Sequence, residues 1–313
     1  MPTRKGRYWR IIASIALVTT LACGCSGRGT KDSSGSLVIE QGQIAFTRAT
    51  SVDEADIESD IYVTNVDGSQ ERNLTDTPGF DGMPAWSPDG KRVAFASDRE
   101  GSWEIYAMKA DGEHQRRLTN TPEDEGVPAW SPDGEKIAYV VDPLADPAIH
   151  VMDTDGSGQK RLVDGNWPTW APDGERIAYT TYSNGERLAV MNADGSKQRS
   201  LGGSLVRSLT GTADAYEAAW SPKGKRIAFV SSRGPNNEEV YLMNTDGSGR
   251  TRLTDIPGND HWPPTWSPDS TRIAFTSDGI EEHSQIYVMN SDGSGLTRLT
   301  DNPADDSFPA WRP

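Results

Sequence analysis

Cysteine is nearly absent from this chain. The 313 residues hold two, Cys23 and Cys25, separated by a single glycine. A disulfide framework or a cysteine metal site would need further partners, and there are none. Only four histidines occur, at 114, 150, 261 and 283. No G-x-S-x-G elbow, no cysteine with a histidine partner and no glycine-rich phosphate loop after a strand can be found, so the common signatures of nucleophilic and nucleotide chemistry are missing. Basic residues are in deficit, 31 against 46 acids. That balance opposes nucleic acid, whose phosphates call for the opposite sign. After residue 40 no helical period competes with the β pattern.

What the first forty residues do contain is an export layout. Arg4, Lys5, Arg7 and Arg10 stand without an acid, followed by an uncharged, mainly apolar run at 11–22. Twelve residues are too few for a permanent span, which takes about 20, so 1–22 reads as a signal peptide. The A-C-G-C-S-G that follows resembles a bacterial lipobox, with either Cys23 or Cys25 as the lipidated residue after cleavage before it. Residues 23–40, rich in Gly and Ser, then form a flexible lipidated tether. Loss of 1–22 takes the formal charge from −15 to −19, and so strong a field favours solubility, cation binding or a basic partner.

The remainder is a repeat. Trp86, Trp130, Trp170, Trp220, Trp266 and Trp311 are spaced by 44, 40, 50, 46 and 45 residues, the period of a four-stranded propeller blade. Each unit carries P-A-W or P-T-W, then K-R-I-A-F, then I-Y-V-M, then R-L-T, or close relatives. The fourth copy of the last segment is blurred between Arg199 and Thr210. S-P-D-G after the Trp has type I turn chemistry, and N-x-D-G between the third and fourth strands is a hairpin signal. Proline two places before most of the Trp residues is tolerated only at an edge, which puts the Trp strand along the channel. The chain opens on a second strand at Gln41 and ends on the lone Trp strand F-P-A-W-R-P. Pairing the two hides both sheet edges. The expected fold is therefore all-β, a six-bladed β-propeller over 41–313 closed by its C-terminal strand and monomeric.

W-S-P-D-G-x-x-I-A-F, I-Y-V-M-N-x-D-G and R-L-T-D-x-P resemble the repeat of the TolB family and its WD40-like relatives, the PD40 repeats, over residues 41–313. TolB itself has an N-terminal α/β domain where this chain has a tether. The resemblance implies a periplasmic protein that partners the peptidoglycan-associated lipoprotein in envelope integrity.

In a four-stranded blade the uniform S-P-D-G and N-x-D-G turns share one end, and the loops of varying length share the other, where function usually sits. That variable end includes 48–60, 98–103, 202–217, 231–239 and 277–284, and it is acidic. Asp53, Glu54, Asp56 and Glu58 fall in one loop, while Asp81, Glu125 and Asp306 each lie five residues before a Trp and are expected to converge on one rim, facing a basic partner or a divalent cation. His261 and His283 share the blade of Trp266 with Asp260, a set able to ligate a transition metal. D-T-D-G-S-G at 153–158 has calcium-loop offsets but lacks the bidentate Glu at the twelfth position, so it reads as a hairpin. These features predict a non-catalytic protein-binding or scaffolding module of the bacterial cell envelope, lipid-anchored in a membrane, without a resident cofactor and without nucleic acid, meeting an envelope protein or cell-wall component through its acidic loop face. The alternative is a metal-dependent propeller lyase or hydrolase at the same face.

Overall fold

The computed structural model describes residues 42–52, 57–182, 187–201, 215–232, 238–256, 258–279 and 283–313. The expected signal peptide, the tether, Cys23 and Cys25, and Asp53, Glu54 and Asp56 lie outside the described residues. Those described form twenty-four strands in six antiparallel four-stranded sheets and no helix. Blade two shows the plan: Asp81–Trp86 innermost, then Arg92–Ser97, Glu104–Lys109 and the short outer Arg116–Arg117.

Blade one is closed as the sequence predicts. Asp306–Trp311 pairs with Gln43–Val52, with Ile44 opposite Trp311 and Ala45 opposite Ala310. Ile57–Asn65 and Arg72–Asn73 complete it. The stretch expected as a loop at 48–60 is largely strand, since pairing continues to Val52 opposite Ile57 across a bulge near Ala49. The blurred outer strand of blade four is Arg199–Ser200.

Second strands are apolar without a break because each sheet is covered on both faces by its neighbours. Ile44, Ala45 and Phe46 are fully buried, as are Val93, Ala94 and Phe95. The core is accordingly divided into six clusters, one between each pair of blades. Each repeat Trp wedges into such a seam. Trp86, Trp130, Trp170 and Trp266 donate their indole N–H to the carbonyls of Ala310, Ala85, Ala129 and Ala219 of the preceding blade at 3.1–3.2 Å. The arginine of K-R-I-A-F covers the next blade's indole, Arg92 over Trp130 at 4.5 Å and Arg272 over Trp311 at 4.9 Å. Blade one has Gln43 in that place, and Arg312, directly after the closing strand, takes over: it lies 4.9 Å over Trp86 and donates to Gln43 Oε1 and the Gly90 carbonyl.

Candidate functional site at the variable-loop end

The uniform end is consumed by its own turns. Gly90 N–H donates to the Ser87 carbonyl to close a type I turn, Ser87 Oγ donates to Asp89, and the same bonds recur at Ser131 and Ser267. Hydroxyl bonds of this kind hold Asp89 and Asp133 low and bring Asp269 to about 2. The N-x-D-G hairpins are type I turns that end on a left-handed glycine, such as Gly68 at φ 79°, rather than two-residue mirror-image turns. In the D-T-D-G-S-G segment Asp155 accepts from Ser157 N and Oγ, and Asp153 pairs with Lys136, so these oxygens build the hairpin.

At the other end Glu58 is exposed, but Asp81, Glu125 and Asp306 do not form a surface rim. They are 1%, 1% and 0% exposed. Each turns back into a seam between blades, where intramolecular partners compensate its burial. Arg99 holds Asp81 at 2.8 Å, with Thr77 donating to the same carboxylate. Arg48 holds Asp306 at 2.6 Å, bridges onward to Glu71, and Asn302 adds a further bond. Each arginine lies against an aromatic pair: Arg48 is 5.2 Å from Phe46 and 4.5 Å from Tyr62, and Arg99 is 5.5 Å from Phe95 and 4.9 Å from Tyr106. Arg250 occupies the same cleft in blade five, between Phe229 and Tyr241, although it comes from a different strand junction.

At the position of Arg48, opposite the acid, blades three and six have Val141 and Ser277, and at that of Arg99, two residues on, they have Pro143 and Gly279. Glu125 and Asp260 consequently face another acid rather than a guanidinium. Burial, then the bond with Glu104, pushes Glu125 up to about 8. Burial also pushes Glu104 up, yet bonds from Glu125, Thr119, Arg117 and Thr121 outweigh it and hold Glu104 below the ordinary range. Glu104 Oε2 and Glu125 Oε2 are both buried with no other donor, and one proton between them satisfies both. Asp260 repeats the arrangement. Burial raises it to about 7, Thr254 Oγ1 and Val240 N donate to its Oδ2, and Glu239 is the adjoining acid.

Asp260 is thus committed inside the seam between blades five and six. His283 Nδ1 lies 3.7 Å from Asp305, and the backbone of His261 belongs to the strand Asp260–Trp266. Among the described residues no three His, Cys, Asp or Glu side chains converge as metal ligands.

The channel on the ring axis supplies what the sequence reading did not single out. A cavity of about 280 Å³ is lined by the P-A-W and P-T-W segments of the blades and reaches Pro222 and Pro313 at the uniform end. Toward the variable end its lining stops at Met83, Val127, Trp167 and Phe308, whose counterparts in blades five and six are Glu217 and Trp262. All have φ between 53° and 65°, an uncommon left-handed state for non-glycine residues. A bulge at this point of each innermost strand produces it. Trp167 and Phe308, from opposite blades, meet with ring centroids 5.9 Å apart, and Trp262 lies 4.3 Å from Phe308. Phe80 and Trp103 from the variable loops stack at 4.6 Å and pack on the same cluster. A bulky residue directly before a proline, as at Met83, Val127, Trp167, Trp262 and Phe308, was the available signal for this floor, and blade five departs from it with Glu217 before Ala218.

The profile of the TolB beta propeller domain matches residues 47–207 and 167–313. The structure of TolB from Acinetobacter baumannii superposes with a TM-score of 0.74 at 21% identity, covering 87% of this chain and 67% of that one. Two curated proteins share shorter stretches. An uncharacterized peptidase, YuxL of Bacillus subtilis (strain 168), is 36% identical over 55 residues, 18% of this chain and 8% of its own. Dipeptidyl-peptidase 5 of Porphyromonas gingivalis is 44% identical over 43 residues, 14% of this chain and 6% of its own. Both stretches are about one repeat long, so the likeness is to a blade, and the chain spans a small part of either peptidase. With matches that together run from 47 to 313 over a six-bladed ring, the chain belongs to the TolB beta propeller domain family.

Proposed function

We propose that this protein is a non-catalytic binding module of the bacterial cell envelope, exported by its leader, held to a membrane by a lipid on Cys23 or Cys25, and engaging an envelope protein or cell-wall component through the variable-loop end. The observation that carries the reading is the division of labour between the two ends of the ring. One end is spent on repeated turns whose carboxylates bond within their own loops. The other collects loops of unequal length around an aromatic floor, on a chain of strongly negative charge. Rigid scaffolds present binding loops in this way, and family membership supports the envelope setting.

Affinity capture from an envelope fraction tests it, with Asp53, Glu54, Asp56 and Glu58 changed to their amides as the comparison. Capture that weakens as salt rises and falls in the amide variant supports an acidic binding face. Capture insensitive to both removes the electrostatic part. Mass spectrometry of the mature N-terminus should find an acylated Cys23 or Cys25, and an unmodified Met1 would contradict the anchor. Stoichiometric metal in the purified protein that is lost on combined His261→Ala and His283→Ala would favour the metal-dependent enzyme instead.

A further inference from the structure

The aromatic floor has a chemistry of its own. Phe80 and Trp103 stack nearly parallel, at an interplanar angle of 12°, and both are partly exposed. Their backbones are pinned by carboxylates: Asp98 Oδ1 accepts from Phe80 N at 2.7 Å, and Asp124 Oδ1 accepts from Trp103 N at 3.0 Å. Two glycines make the room. A Cβ at Gly82 would lie 2.5 Å from the Phe80 ring, and one at Gly126 would meet Met83 Sδ at 3.4 Å and the Trp103 ring at 3.9 Å. The pair is therefore continuous, through Met83, with the Trp167, Trp262 and Phe308 rings of the floor.

Elsewhere the protein completes such a combination with its own arginine. Phe46, Tyr62 and Asp306 hold Arg48, and Phe95, Tyr106 and Asp81 hold Arg99, in each case aromatic faces with a carboxylate beside them. Among the described residues no cation lies over Phe80, Trp103, Trp167, Trp262 or Phe308. The floor offers rings whose backbones are held by the carboxylates of Asp98 and Asp124, without a guanidinium among the described residues, in a chain carrying a formal −15.

We propose that the floor receives an arginine-bearing segment of a partner protein, with a guanidinium laid on Trp103 or Trp262 and paired with Asp98 or Asp124. This rests on the reading of the variable end as a binding face and specifies what it binds. Guanidinium favours the site over a neutral sugar because stacking, cation–π attraction and the acidic field act on it together.

The test is a titration of the detergent-solubilised mature protein, followed by tryptophan fluorescence, with a glycine-spaced two-arginine peptide capped at both ends. The same peptide with citrulline for arginine and an N-acetylglucosamine oligomer are the comparisons. The arginine peptide should bind at least about tenfold tighter than the citrulline peptide, and Trp103→Leu and Trp262→Phe should each weaken it several-fold. Equal binding of both peptides, no binding of the arginine peptide, or binding of the sugar alone would overturn the proposal. The peptide comparison is made on the unaltered protein, so it does not depend on a variant folding. Envelope capture that persists in Trp103→Leu at full strength would end this proposal while leaving the binding module in place.

Discussion

At the scale of single residues, three arginines show how one environment is reached from different positions. Arg48 comes from within a second strand and Arg99 from the loop just after one, whereas Arg250 comes from the hairpin before the outer strand, yet each lies against the equivalent Phe–Tyr pair of its own blade. Spacing in the sequence reveals the aromatic pairs but not which arginine reaches them, because a long side chain spans several backbone positions. The same limit explains why Asp81, Glu125 and Asp306 read as a surface cluster: their common offset from Trp was legible, but the bulge that turns them inward was not. Burial fixes the consequence. Removing Arg48 leaves Asp306, fully buried, without its cation, and Arg48→Ala should cost about 3–5 kcal/mol. Urea denaturation checks this, and Asp306→Asn in the same chain should restore a large part. A loss below about 1 kcal/mol would mean the pair is solvated.

At the scale of strands and turns the sequence was most informative. Trp, S-P-D-G and N-x-D-G located strand after strand, and the exception fell at 48–60, where strand pairing continues through a stretch that reads as a loop. Each hairpin also locks onto the preceding blade. A Cβ at Gly156, where φ is +95°, would lie 2.3 Å from the Leu118 carbonyl, while Gly101, at φ +120°, has nothing within 4 Å. Gly101→Ala incurs backbone strain alone, about 1–2 kcal/mol, and Gly156→Ala should lower the urea midpoint at least twice as far because the hairpin must also leave its neighbour. The acid pairs between blades make a second prediction, in pH. Glu125 sits at about 8 against an ordinary 4.5, and Asp260 at about 7 against 3.8. The folded state therefore keeps protons that the unfolded chain releases, and stability falls as pH rises from the ordinary values to the folded ones. Glu125→Gln, which imitates the protonated form, should change little near pH 5 and gain about 1–3 kcal/mol over the unaltered protein near pH 8. Parallel stability curves across that range would show that the pair is not sharing a proton.

For the whole molecule, six Trp positions and two incomplete ends were enough to read a closed ring, since an open array would leave two sheet edges unpaired. The channel floor was harder to read, because it is assembled from residues of different blades and exists only once the ring closes: Trp167 meets Phe308 across 141 residues of sequence. Closure also sets the S-P-D-G and N-x-D-G turns of the blades around one rim. It can be measured directly, because residues 42–313 contain no cysteine. Ala45 and Ala310 are directly opposed in blade one, and opposed strand residues have Cα separations within the range a disulfide accepts. In Ala45→Cys/Ala310→Cys, mild oxidation of the folded domain should link the two thiols in nearly every molecule, seen as a single cross-linked peptide by mass spectrometry and a raised unfolding midpoint. Two free thiols after oxidation of the folded protein would mean that the C-terminal strand does not close the ring.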